Sequence, residues 1–259
     1  KIPTIYMIDD NWISIVEDYP EYGEIFKEGS ETYNNFMYII QNSTIVWAYN
    51  NTLIEDIKPF AKKILKSKLG IDINKEKRNI KNKEKLVVGF SGSMRYDDTA
   101  FKALSKLDRK DIKLLLFGNI SKKQLKLFKS KDIIKYKFLK YEDYIEKMKE
   151  IKPDLLIAPL KNDRTSSSKC YNKYLENTSI GAATIFSKVL PYIEVVKENI
   201  TGFYVEKETV DGWYNSINRI LDNRELLFEV KKNSYDDVVN NYSVDSLLNW
   251  FTNTIQKIV

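Results

Sequence analysis

Two lysines and one glutamate stand in register in the stretch KCYNKYLENTSIGAATIFS, residues 169–187. On a helix Lys169, Lys173 and Glu176, at i, i+4 and i+7, share one face, while Tyr171, Tyr174, Leu175 and Thr178 share the other. The aromatic face packs inward, so the charged face looks to solvent or into a cleft. In a cleft, a carboxylate accepts hydrogen bonds from ligand hydroxyls and the ammonium groups meet an anion. On a surface, the same residues make a Lys173–Glu176 pair worth roughly a few tenths of a kcal/mol. Both readings fit, and spacing alone favours the second.

Two further segments carry ligand-binding chemistry. In GFSGSMRYDD, residues 89–98, Ser91, Gly92 and Ser93 form a flexible turn after a strand. Gly92 lets backbone approach a ligand, and Arg95 is placed to meet a phosphate. An ordinary turn has the same composition. In APLKNDRTSSSKCYNK, residues 158–173, Lys161, Arg164, Lys169 and Lys173 gather with Thr165 and three serines where a helix should begin. Free N–H groups, the helix dipole and several cations suit a diphosphate; a solvated basic loop capped by Ser167 or Ser168 is the alternative. The acidic runs Asp9-Asp10-Asn11 and Asp97-Asp98 are explained by capping and loop solvation, and no metal site is expected.

The elements that must position these residues follow from apolar periodicity. LVVGF (86–90), KLLLFG (113–118), IIKYKFL (133–139), DLLIAP (154–159), ATIFS (183–187) and GFYV (202–205) read as buried strands. Helical segments lie between them, among them SKCYNKYLENTSI and PYIEVVKEN. Strand and helix in alternation require crossovers, hence an α/β fold with a mostly parallel, Rossmann-like sheet covered on both faces. Ligands of such sheets bind beyond the carboxyl ends of the strands, where all three segments fall. After Val205 the pattern is wholly helical, with Trp213, Trp250 and Phe251 as packing anchors. The charged run 73–85 reads as a linker. Residues 1–72 form a smaller unit with strands near 2–8 and 44–49, short for an independent core. The expected division is 1–72, linker 73–85, a sheet domain 86–241, and a closing helix 242–259 returning to the first unit.

Composition narrows the chemistry. The 259 residues include no histidine and one cysteine, Cys170. Imidazole triads and histidine-based zinc sites are excluded, as is an internal disulfide, and a reducing, cytoplasmic setting is expected. The net charge of +6 is spread through both signs along nearly the whole chain, so no nucleic-acid partner is indicated. No apolar run reaches the roughly 20 residues of a membrane span. The chain opens on a strand-like run without a methionine, as expected of an internal piece of a longer protein.

The residues 168–206, SKCYNKYLENTSIGAATIFSKVLPYIEVVKENITGFYVE, resemble the donor-binding region of group 1 glycosyltransferases of the GT-B fold. The matching positions are Lys169, Cys170, Lys173, Glu176 and Gly181, then Pro191-Tyr192-Ile193-Glu194-Val195-Val196 and Gly202-Phe203-Tyr204-Val205. KLVVGFSGS is similar to that family's first strand and loop of the second domain. IPTIYMIDDNW is similar to the end of its first domain, so the smaller unit would be an incomplete one. The resemblance implies that Glu176 accepts hydrogen bonds from the ribose of a nucleotide sugar. It implies that Arg164 and Lys169 hold the diphosphate, that backbone near Phe138 and Leu139 reads the base, and that Gly181 turns the chain close to the ligand. It also implies transfer of a sugar, with retention and without metal or other cofactor, to a glycan, lipid-linked or protein acceptor, with peripheral association at the inner face of a membrane left open. A non-catalytic nucleotide-sugar-binding or assembly subunit is the alternative. Many members carry a second glutamate ahead of this one, with seven residues between them, in contact with the donor sugar; here that position is Ser168.

Overall fold

The structure, a computed structural model, describes residues 2–73, 83–93, 98–129 and 131–255. The first unit runs β1 (Ile5–Ile8), α1 (Ile15–Asp18), α2 (Gly23–Phe26), α3 (Glu31–Asn42), β2 (Ile45–Ala48), α4 (Asn51–Ile57) and β3 (Ile64–Lys66). Its three strands are parallel in the order β1-β2-β3. Phe36, Met37 and Ile40 of α3 close with Ile8, Val46, Ala48, Leu53 and Ile57 into a core of its own. Length alone understates what this unit can bury, because one amphipathic helix covers every strand of so small a sheet. β3 carries only three residues of apolar pattern, too few to be visible in the sequence.

The second unit contains β4 (Leu86–Ser93), α5 (Thr99–Lys106), β5 (Ile112–Asn119), α6 (Lys122–Lys126), β6 (Ile133–Tyr136), α7 (Tyr141–Ile151) and β7 (Leu155–Ala158). It continues with α8 (Arg164–Ser167), α9 (Asn172–Ser179), β8 (Ala183–Phe186), β9 (Phe203–Tyr204), α10 (Val210–Asp222), α11 (Arg224–Tyr242) and α12 (Val244–Ile255). Six parallel strands stand in the order β6-β5-β4-β7-β8-β9. Side chains alternate between faces: Leu86, Val88, Phe90, Leu114, Leu116, Leu155 and Ile157 enter one core with α5 and α10. Val87, Leu115, Phe117 and Leu156 enter another beneath α7. Both faces are buried, which is why these strands read as unbroken apolar runs.

From β4 the chain winds outward through β5 and β6, then returns to build β7, β8 and β9 on the other flank. The carboxyl ends of β4 and β7 therefore border the switch point, where a crevice opens. Gly92 and Gly118 face each other in register there, both at positive φ; a Cβ on Gly118 would lie 2.1 Å from the Gly92 carbonyl oxygen. Glycine at both positions lets the β4 turn lie flat against β5.

Three local expectations change. The helix expected across 168–180 begins only at Asn172, so Lys169 lies in the turn before it and not on a shared helical face. The preceding turn α8 is capped by Asp163, whose carboxylate accepts from Ser166 N at 2.7 Å, and not by Ser167 or Ser168. The segment PYIEVVKEN makes only a 3-10 turn at Tyr192–Glu194. Tyr204 OH donates to the carbonyls of Tyr192 and Val196, and Thr201 Oγ1 accepts from Lys197 N, occupying groups that a longer helix would use. Residues 74–82 of the expected linker lie outside the described residues, as do 94–97 with Arg95 and Asp97. Ile73 is buried in the second unit, and Leu69 and Ile71 pack beside it, so apolar alternation carries the chain into that core before the charged run begins.

The units meet along a polar seam. Asn11 Nδ2 donates to Asp56 Oδ2 (2.5 Å) and to Ser168 Oγ (2.8 Å), and Ser14 and Thr165 hydroxyls bond at 2.8 Å. Thr165 N donates to Asp18 at 2.6 Å, and Asn50 Nδ2 to the Lys169 carbonyl at 2.9 Å. On the far side, Trp250 and Phe251 of α12 meet Trp47 edge-on, at 5.9 and 5.3 Å between centroids.

Candidate functional site

A cavity of about 610 Å³ occupies the switch point. The β4 turn supplies Ser91, Gly92 and Ser93; the segment after β7 supplies Pro159, Lys161 and Asn162; the turn before α9 supplies Lys169 and Cys170. Asp9 and Asp10 close it from the first unit, and Phe90, Val189 and Tyr192 give it an apolar wall. Segments distant in sequence converge here because each follows the carboxyl end of a parallel strand.

Lys173 enters this cavity from the first turn of α9, and its Nζ lies 3.5 Å from where a Gly92 side chain would begin. It donates to Glu176 Oε2 at 2.9 Å. Burial works most strongly against the Lys173 ammonium, but the Glu176 charge, Tyr144 and the hydrogen bond to Glu176 together outweigh it and the pKa is raised. This half-buried pair sits under Tyr144, whose hydroxyl bonds Ser91 Oγ at 2.7 Å. Burial, opposed by Lys173, pushes the Tyr144 phenol up; burial and then Glu176 raise Tyr141. Of the pair, Lys173 lines the cavity, whereas Glu176 does not and is held beside it through the ion pair.

The other expected residues fall in different places. Lys169 reaches the cavity and pairs with Asp10 across the cleft at 3.6 Å. Arg164 does not line it: its guanidinium donates to both Asp56 oxygens and to Glu55, at 2.7 to 3.0 Å, and Asp56 first raises its already high pKa. Phe138, exposed by 68%, borders a second opening with Ser93, Gly118, Asn119 and Lys137, while Leu139 packs beneath α7. Gly181, at φ +86°, makes the turn from α9 into β8. Ser168 is fully buried in the seam between Asn11 and the Arg164 carbonyl. The sequence did not single out Tyr141 and Tyr144 for the site, although YEDY at the start of α7 is an aromatic pair one helical turn apart. Asp9 and Asp10, read there as solvated loop residues, also line the cavity. Among the described residues no group of three or more acidic or cysteine side chains lies together as a metal site would require.

Two outcomes follow for bench work. Burial, then Asp9 and Asp10, pushes the Cys170 thiol up to about 12. At pH 8 a disulfide reagent should label the native chain on the order of a thousandfold more slowly than the urea-unfolded chain. Comparable rates would show that the thiol is open. Arg164→Ala should leave affinity for any ligand of the cavity within roughly twofold, because its partners are Glu55 and Asp56 across the seam, neither of which lines the cavity. A tenfold loss by titration would place the guanidinium on the ligand.

A parallel switch-point crevice, cationic on one wall and closed by a second parallel α/β unit, defines a two-domain protein of the GT-B class. The chain belongs to the glycosyl transferases group 1, whose family model matches residues 71–237, and it is an enzyme of the glycosyltransferase type. No curated protein sequence matches it. Among solved structures it resembles HepE from Anabaena in complex with UDP-glucose, at TM-score 0.69 and 15% identity over 98% of this chain and 72% of that one. It resembles sucrose-phosphate synthase from Thermosynechococcus elongatus at TM-score 0.70 and 12% identity, over 98% and 67%. WaaG, a glycosyltransferase involved in lipopolysaccharide biosynthesis, aligns at 0.66 and 16%, over 92% and 71%.

Proposed function

We propose that the crevice binds a nucleoside diphosphate sugar and that the chain transfers its sugar to a glycan, lipid-linked or protein acceptor entering between the units. The observation that carries this reading is Lys173, held against Gly92 at the end of β4 and paired with Glu176. A carboxylate beside an ammonium at such a strand end suits a ribose next to a diphosphate: Glu176 accepts from the ribose hydroxyls, and Lys173, Lys169 and Lys161 face the phosphates. Ser91, Ser93 and the Gly92 backbone complete that wall, Gly181 sets the approach of α9 to the ligand, and the opening at Phe138 takes the base. HepE, with UDP-glucose bound on the same fold, supports the assignment.

Transfer needs the diphosphate to leave with its charge compensated. Three lysines converging on one cavity supply that compensation without a metal ion, as electrostatic stabilisation of the leaving group. Retention at the anomeric carbon rests on family membership. Asp9 and Asp10 face the ligand from the acceptor side, where carboxylates accept hydrogen bonds from sugar hydroxyls. Calorimetric titration with UDP, GDP, dTDP and CDP tests the reading. Saturable binding of one nucleotide in preference to the others supports it, and equal or absent binding of all four sinks it.

A further inference from the structure

Residues 121–140 contain eight lysines and one aspartate, a net charge of +7 where the whole chain has +6. All other residues together thus sum to −1. Five of these cations, on α6, the turn after it and β6 with the residue that follows, are exposed at one edge of the sheet. β6 is the edge strand, paired only with β5. Ile133 packs with Leu125 of α6 on one face of the sheet, and Ile134 and Tyr136 pack on the other. A period of two therefore puts Lys135 and Lys137 on the side that α6 covers. Lys122, Lys126 and Lys129 are exposed along α6 and the turn after it, continuous with that side. Among the described residues none of these five lysines has a carboxylate at ion-pairing distance, whereas Lys123 is shared with Asp98. Leu127 and Phe138 stand exposed among them, at 36% and 68%. Lysines on an edge strand discourage sheet-to-sheet pairing, which accounts for Lys135 but not for those on α6.

We propose that this wall docks on the anionic headgroups of a lipid bilayer. Flexible ammonium groups around two exposed apolar tips match a headgroup layer over hydrocarbon, each lysine following the nearest phosphate while Leu127 and Phe138 enter the interface. Recognition of nucleic acid favours guanidinium forks and open aromatic faces; the segment has no arginine, and the ring of Tyr136 lies under Lys147. Docking there sets the opening beside Ser93, Lys137 and Phe138 next to the membrane. The assignment rests on the charge of the wall and not on nucleotide binding, although Phe138 also borders the opening assigned above to the base.

Flotation with phosphatidylglycerol-containing and pure phosphatidylcholine vesicles, at low and high salt, tests it. The chain should float only with the anionic vesicles and only at low salt. Lys122→Glu, Lys126→Glu, Lys129→Glu and Lys135→Glu combined should cost on the order of 100-fold or more in partitioning, since each lysine near such a surface contributes roughly fivefold. A control of equal net charge, Lys58→Glu, Lys62→Glu, Lys63→Glu and Lys68→Glu combined, should retain most of the binding. Equal loss in both variants, or tighter binding to RNA homopolymer than to vesicles at the same salt, overturns the proposal. If the wall variant melts early, Lys126→Gln alone carries the test through its own roughly fivefold loss, and no loss there overturns the proposal as well.

Discussion

Asp154→Ala should destabilise the second unit by about 3–5 kcal/mol and lower its melting temperature on the order of 10 °C. Asp154 is fully buried just before β7 and holds three donors: Lys231 Nζ at 2.7 Å, Lys83 Nζ at 3.0 Å and the Val87 amide at 2.9 Å. The alanine strips a carboxylate from an ammonium that is itself only 8% exposed, while the native pair gains little beyond its own desolvation. The combined change Asp154→Leu with Lys231→Met should therefore recover part of the loss, because an apolar pair needs no counter-charge, while the Val87 amide and Lys83 still lack their acceptor. The network stands at the end of the sheet opposite the crevice, so nucleotide binding should survive wherever the fold does. A melting point within 2 °C of wild type, a shift equivalent to about 1 kcal/mol or less, would show that the carboxylate is dispensable.

Glu176→Gln is expected to reduce affinity for the preferred nucleotide by about 30- to 150-fold, the loss of roughly 2–3 kcal/mol in charge-assisted hydrogen bonds. Glutamine keeps the shape of the side chain but donates from one terminal atom where the carboxylate accepted, and it releases Lys173 from its partner. Thermal stability should change by less than about 1 kcal/mol, since both groups retain contact with solvent, at 31% and 21% exposure. That contrast separates a binding role from a structural one. Unchanged titration with the stable glutamine variant would return Glu176 to the surface-pair reading that its spacing favours.

The sheet is legible in the sequence because both of its faces are buried, so every strand from Leu86 to Phe186 appears as an apolar run between polar helices. The start of α9 is not legible. Tyr171 fits the aromatic face of a longer helix, yet it stands at the helix boundary, packing on Tyr242 while its hydroxyl accepts from Leu69 N at 3.5 Å. Helical periodicity cannot register a partner 102 residues away. The destination of Arg164 was hidden in the same way: four cations near a helix start suggest one anion site, but Asp56 and Glu55 draw this one into the seam. Glu176 was legible as chemistry only through its family resemblance, since a Lys–Glu pair at i, i+3 looks the same on any helix. The position of its partner Lys173 beside Gly92 comes from the crossover order of β4 and β7, which no local pattern encodes.

The chain passes between its two units at two places, before the sheet near Ile71 and after α11 near Ser243. These passages are tied to each other: Ile71 N donates to the Tyr242 carbonyl at 2.8 Å, and Ile71 and Ser243 form a parallel bridge. Two connections lying side by side behave as the pins of one hinge. A swing about that line is the opening of the cleft that leaves both passages intact, and α12, whose far end meets Trp47, is joined to both units. Separation of the units to release a product breaks the seam's hydrogen bonds, and the tied passages let them come back to the same alignment of Asp10 with Lys169.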